Sequence, residues 1–157
     1  MKVKELMSTN IACVGEDATA SMIAAQMRKN DIGSIPVCDD SGHIKGIVTD
    51  RDLVVRVMAR AVSCSGSKDP SNEAPAADAP TEPTASCIMT SDPVTISPEQ
   101  NIHDAALLFA AHKIRRLPVT EASRIVGMLS LGDIAVKPVY IDEAGDALSA
   151  ISLSPSV

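Results

Sequence analysis

The apolar residues of the chain fall in the same succession twice. Ile11 to Val14 and Val94 to Ile96 are short apolar runs, and each precedes an Ala-rich segment, Ala20 to Lys29 and Ile102 to His112, whose apolar residues recur at helical spacing. Strand followed by helix is the expectation. Thr19 and Asn101 stand one residue ahead of these helices as N-caps, and Asp104 lies three places after Asn101. Ile35 to Cys38 and Leu117 to Thr120 read as second strands, closed by turns at Asp39-Asp40-Ser41-Gly42 and Glu121-Ala122-Ser123. Ile44 to Thr49 and Ile125 to Ser130 then read as third strands that run straight into further helices. In the first of these, Arg51 to Arg60, Leu53, Val54, Val57 and Met58 fall on one helical face.

The likeness of the two halves is residue by residue. A shift of 82 lays Met7-Ser8 on Met89-Thr90, Val14 on Ile96, Ile32 on Ile114 and Ile35-Pro36-Val37 on Leu117-Pro118-Val119. One residue is then lost, and a shift of 81 brings Gly46, Thr49 and Asp52 onto Gly127, Ser130 and Asp133. The chain is thus an internal duplication of a strand-helix-strand-strand-helix unit, an α+β arrangement. A unit of this size buries too little surface to be secure alone, and two copies packed together solve that problem. The expected organisation is a first repeat over 2–60, a flexible Pro/Ala/Ser-rich linker over 61–85, a second repeat over 86–136 and a tail over 137–157. The tail is mildly apolar (Val139, Tyr140, Ile141, Leu148, Ile151, Leu153), which suits docking on the core or service to a partner.

Composition narrows the function. A net charge of −6 argues against nucleic acid, and one Tyr, one Phe and no Trp leave no platform for stacking bases. No apolar run is long enough for a membrane span, and MKVKELMSTN lacks the apolar stretch of a secretory signal, so a cytoplasmic protein is expected. Cys13, Cys38, Cys64 and Cys87 form no CxxC, and no His stands at zinc-ligand spacing, so no metal site is expected. Cys13 and Cys38 occupy the places of Thr95 and Thr120 in the other copy. A strand-helix-parallel strand crossover commonly sets its strands side by side, which brings this pair within reach of a disulfide that a reducing cytosol opposes.

The repeated hydroxyl and aspartate carry two readings. Thr49-x-x-Asp52 and Ser130-x-x-Asp133 have the form of a capping box, contributing about 1 kcal/mol each. The same turn could instead hold a ligand, because a helix N-terminus presents N–H donors to phosphate and a fixed carboxylate can accept both hydroxyls of a ribose. Gly46 and Gly127 would then admit a ligand or a backbone closely, or merely mark strand bends.

The lead-ins Met7-Ser8 and Met89-Thr90, the hydrophobic-Pro-Val strands and the Gly-x-x-Ser/Thr-x-x-Asp ends, in that order and twice, resemble the paired repeats of the CBS-domain family, the Bateman module. The resemblance covers about residues 2–60 and 85–136. It implies two tandem CBS repeats packed as a pseudo-twofold pair, non-catalytic and regulatory, that bind AMP, ADP, ATP or another adenosyl compound in clefts between the repeats. Carried over by motif, Thr49, Asp52, Ser130 and Asp133 would hold ribose and phosphate, while Ile35, Pro36, Leu117 and Pro118 would flank the base. Basic side chains near those strands face phosphates in related modules, which singles out Arg115 and Arg116, with Lys113, where the first copy has Gly33, Ser34 and Asp31. Arg51 is the comparable base of the first copy. The resemblance further implies a stand-alone pair with no cofactor beyond that ligand, a homodimer, and a protein partner acted on in trans. The alternative is a purely structural or interaction module whose clefts stay empty. An enzyme ranks well below both: no Ser-His-Asp order, P-loop or GxGxxG occurs, and His43, His103 and His112 have no evident catalytic partner.

Overall fold

The structure, a computed structural model, describes residues 1–59 and 82–153. Most of the expected linker, with Arg60 and Cys64, and the last four residues of the tail lie outside the described residues. The chain divides into two compact units, Ala12–Asp40 with Lys45–Ser91, and Met1–Ile11 with Ser41–Ile44 and Asp92–Val157. We call them the first-copy and second-copy units.

In the first-copy unit the Thr19 hydroxyl accepts from Met22 N at 3.3 Å, a capping bond that starts helix α1, Ala20–Asn30. Ala20, Ile23 and Met27 recur on one face of it and are buried. The helix ends at Asp31 (φ 52°), whose N–H reaches the carbonyls of Arg28 and Met27. Strand β1, Ser34–Cys38, is buried throughout, whereas β2, Ile44–Thr49, buries only Gly46 and Val48 on alternate positions. Helix α2, Asp50–Asp52, continues as a π-helical turn over Leu53–Met58, closed by Ala59 N–H on Val54 O.

That π turn corrects the expected helical face. Leu53 and Val57 pack on the core, but Val54 is 54% and Met58 62% exposed. Only the Leu53 and Val57 edge of the expected four-residue face packs on the core. The expected first strands are also shorter than their apolar runs. Only Val14 and Ile96 pair, each through a single parallel bridge, to Val37 and Val119.

Helix α3, Ala85–Ile88, and strand β3, Thr90–Ser91, complete the first-copy unit. Strand β3 pairs antiparallel with β2, Gly46 opposite Ser91 and Ile47 opposite Thr90. Residues just ahead of α3 are also placed: Pro83 O accepts from Ala20 N, Glu82 takes the Ser21 N–H at 2.5 Å, and Ala85 N donates to Ala18 O.

The second-copy unit repeats the scheme. Helix α4, Ile102–His112, buries Ile102, Ala105, Ala106 and Phe109, and Asp104 accepts from Asn101 N at 3.2 Å. It too ends left-handed, at Lys113 (φ 53°). Strands β4, Arg116–Glu121, and β5, Arg124–Ser130, pair antiparallel with a register shift between Val119 and Thr120. Helix α5, Leu131–Ala135, follows. The opening residues of the chain belong here: Val3 is fully buried, and Ser8 exchanges two backbone hydrogen bonds with Met128 on β5. Each copy therefore lends its lead-in to the sheet of the other, an exchange the aligned repeats do not announce.

The exchange explains the repeated glycine. A Cβ on Gly127 would lie 2.4 Å from Met7 Sδ, and one on Gly46 would lie 2.4 Å from Met89 Sδ. The close approach is that of a methionine from the borrowed lead-in. The tail, for its part, docks: after a 3₁₀ turn at Pro138–Tyr140, helix α6, Ile141–Ser152, buries Ala144 and Ala147 in the cluster that holds Phe109 and Ile134. Lys113 Nζ fastens its end through Leu153 O at 2.9 Å.

Candidate functional site

Strand β2 reaches Thr49 in extended conformation (φ −111°, ψ 163°) and turns at once into α2. The Thr49 hydroxyl accepts from Asp52 N at 3.2 Å and donates to Asp52 Oδ2 at 2.8 Å, and Thr49 N donates to the same Oδ2 at 2.8 Å. This is a closed capping box, and it consumes one carboxylate oxygen. The other, Oδ1, lies 3.4 Å from Arg56 Nε one turn further on. The Arg56 guanidinium is held in place by donating to Ile88 O at 2.7 Å and Met89 O at 3.0 Å, the carbonyls at the end of α3.

Ser130 and Asp133 repeat the box in the second-copy unit. Asp133 Oδ2 accepts from Ser130 N at 2.7 Å and Ser130 Oγ at 2.8 Å, and Asp133 N donates to Ser130 Oγ at 3.2 Å. The difference lies at Oδ1. Lys137 stands four residues after Asp133, where Arg56 stands after Asp52, but no donor among the described residues reaches Asp133 Oδ1.

Each turn is tied to the start of the neighbouring strand. Asp50 N donates to Gly33 O and Leu131 N to Arg115 O, both at 3.0 Å. In the second-copy unit Arg116 lies directly opposite Ser130, and cross-strand partners share a face of the sheet. The fold thus brings Arg115 (exposed) and Arg116 (half-buried) next to the half-buried Ser130 and Asp133. The matching positions of the first copy are Gly33 and Ser34, so its turn meets no such pair of bases. Arg51 is exposed in α2 beside its own turn.

The apolar candidates sit differently from their expected place. Ile35 and Leu117 are wholly buried in the cores of their own units, so their side chains offer no surface to a base. Ile35 shares its cluster with Ala20, Ile23 and Met27 of α1, and Leu117 shares its own with Ile102, Ala105 and Phe109 of α4. Pro36 and Pro118 are buried as well, and their carbonyls accept from Val14 N and Ile96 N at 3.1 Å. Arg56 is the residue that sequence reading overlooks, although its i, i+4 spacing from Asp52 is the signal for an ion pair on a helix. Among the described residues no three His, Cys, Asp or Glu side chains cluster as a metal site, and no helix is long and apolar enough to cross a membrane.

Chemically, each turn is a carboxylate fixed by its own backbone, with one oxygen committed. Such an oxygen pair can take a vicinal diol through Oδ1, and guanidinium groups nearby take a phosphate through their planar fork. The second-copy turn joins two arginines of the adjoining strand to an Oδ1 that no donor among the described residues occupies, whereas Arg56 already engages Asp52 Oδ1 in the first.

The family model of the CBS domain matches residues 3–59 and 85–140. The chain is 33% identical over 150 residues to the CBS domain-containing protein YhcV of Bacillus subtilis, covering 96% of this chain and 94% of that one. The crystal structure of Hypoxic Response Protein I, which holds two coordinated zinc ions, is similar with a TM-score of 0.69 and 27% identity, over 87% of this chain and 98% of that one. CBSX2 of Arabidopsis thaliana, solved in complex with AMP, shares the fold at 22% identity with a TM-score of 0.68, over 90% of this chain and 98% of that one.

Proposed function

This chain belongs to the CBS-domain family, and on that premise we propose that it is a non-catalytic regulatory module that binds an adenosine nucleotide at its Ser130–Asp133 turn. The observation that carries this reading is Asp133 Oδ1, a fixed carboxylate oxygen with no donor among the described residues, in a unit where Arg115 and Arg116 adjoin the same turn. Asp133 takes the ribose diol and the arginines take the phosphate. The Thr49–Asp52 turn is the weaker site, because Arg56 competes for the oxygen a ribose needs. That the same fold accommodates AMP in CBSX2 supports the ligand class.

A second reading has its own observation. Both aspartates commit Oδ2 to a complete capping box, which is all that a purely structural or interaction module asks of them. A thermal-shift panel of AMP, ADP, ATP, S-adenosylmethionine and NADH separates the two. A ligand that binds the native state alone, at 100 times its dissociation constant, adds about 2.7 kcal/mol, so an adenosine nucleotide raises Tm plainly. A flat response to all five leaves the structural reading standing and ends this one.

A further inference from the structure

Cys13 and Cys38 lie on neighbouring strands of the first-copy unit. Val14 pairs with Val37 in a parallel bridge, fixed by Val14 N to Pro36 O at 3.1 Å and Cys38 N to Val14 O at 2.9 Å. Cys13 precedes the one valine and Cys38 follows the other. The bridge sets the two residues on neighbouring strands of one sheet, and both thiols are free. They differ in access, Cys13 exposed and Cys38 buried. The second copy has Thr95 and Thr120 at these places, so the duplication does not require a cysteine at either.

We propose that Cys13 and Cys38 form a reversible dithiol–disulfide pair that reacts with hydroperoxides, Cys13 as the attacking sulfur and Cys38 as the resolving one. The exposed Cys13 thiolate attacks the peroxide O–O bond, giving a sulfenic acid and releasing water, or an alcohol from an alkyl hydroperoxide. The Cys38 sulfur then attacks the sulfenic sulfur, its proton leaves with the departing hydroxide as water, and an S–S bond joins the strands. A dithiol such as dithiothreitol reverses the change by thiol exchange.

The polarity of the pair follows first from access, since a peroxide reaches the exposed Cys13 and not the buried Cys38. The neighbouring Cys38 thiol holds the Cys13 thiol below its ordinary pKa, which raises its thiolate fraction. Cys38 is pushed the other way, by the neighbouring Cys13, by burial and by the charge of Asp39. An exposed, thiolate-prone sulfur beside a resolving thiol is the arrangement that redox-sensing cysteines need. In a reducing compartment the bond would form transiently. It would fasten the segment leading into α1 to β1.

The test uses the full chain carrying Cys64→Ser and Cys87→Ser, so that only this pair remains. Hydrogen peroxide is added in slight excess, free thiols are alkylated, and peptides are mapped by mass with and without prior dithiothreitol. The expected result is a peptide joining Cys13 to Cys38, absent after dithiothreitol, with a Tm raised by about 5–10 °C over the reduced protein. With Cys38→Ser added, dimedone should label Cys13; with Cys13→Ser added, Cys38 should stay unlabelled. Two cysteines that remain alkylatable, or that proceed to sulfinic acid without joining, overturn the pair. Dimedone labelling of Cys38 but not Cys13 overturns the assigned order of attack.

Discussion

Replacing Gly46 and Gly127 by alanine, one at a time, probes the methionine-on-glycine contact in two versions that differ in what must yield. At Gly127 the three atoms nearest the added methyl all belong to Met7, with Sδ at 2.4 Å, Cγ at 3.0 Å and Cβ at 3.3 Å. The end of a flexible, half-buried side chain can swing aside. At Gly46 the methyl meets Met89 Sδ at 2.4 Å and Cγ at 2.8 Å, and also the Thr90 carbonyl oxygen at 2.9 Å. That oxygen belongs to the backbone of β3, whose two paired residues hold register against β2, and moving it disturbs the pairing itself.

Overpacking that forces backbone shifts costs about 1–3 kcal/mol, and Gly→Ala at a compatible backbone returns about 0.4–1 kcal/mol through the unfolded chain. Gly127→Ala should therefore fall within about 1 kcal/mol of the parent, while Gly46→Ala loses about 2 kcal/mol. Urea unfolding followed by circular dichroism reads both. Adding Met7→Ala to Gly127→Ala should remove its clash, whereas adding Met89→Ala to Gly46→Ala should leave a residual loss from the carbonyl. Equal costs at the two glycines, or full relief of Gly46→Ala by Met89→Ala, would refute the reasoning.

Two further outcomes are expected. Glu99 takes Lys2 Nζ at 2.5 Å and Lys4 Nζ at 2.6 Å, and the two ammonium groups lower its pKa from 4.5 to about 2. A folded-state pKa below the unfolded one stabilises above about pH 4.5 and loses that contribution as pH falls toward 2. Glu99→Gln should therefore flatten the acid limb of a Tm-versus-pH curve, by a small and salt-sensitive amount since all three groups are exposed; an unchanged limb at low salt contradicts it. Arg115→Ala with Arg116→Ala should weaken AMP binding about tenfold and adenosine within about twofold in titration calorimetry, because only the phosphate uses the guanidinium groups. Equal effects on both ligands remove the phosphate role.

The strands and helices around the duplicated core were legible because their periodicity and caps were strong. Helix α4 spans Ile102–His112, as its apolar spacing indicates, and β2 spans Ile44–Thr49. The helix ends were less so, since Asp31 and Lys113 take the left-handed position without a glycine to announce it. The π turn over Leu53–Met58 was hidden because the span of a hydrogen bond leaves no mark in composition. Nor does a sequence aligned copy upon copy reveal that Thr90-Ser91 pairs with β2 and Ser8 with β5, since the exchange preserves every motif in order. Of the candidate site, the Thr/Ser–Asp turns followed from the repeat pattern, whereas Arg115 and Arg116 were singled out by the family resemblance. The burial of Ile35 and Leu117 followed from neither, because a strand residue's face depends on pairing as well as on its neighbours in sequence.

The central claim rests on Asp133, and calorimetric titration of AMP into Asp133→Ala and Asp52→Ala tests it most directly. Each substitution opens a capping box and should cost about 1 kcal/mol of stability, and Asp52→Ala also removes the ion pair with Arg56. Loss of charge-assisted hydrogen bonds to the ribose should cost Asp133→Ala about 1.5–3 kcal/mol of binding, or about 10- to 150-fold in Kd, with a smaller change in Asp52→Ala. Parental AMP affinity in Asp133→Ala, alongside the expected loss of stability, would contradict the account and leave the aspartate a helix cap.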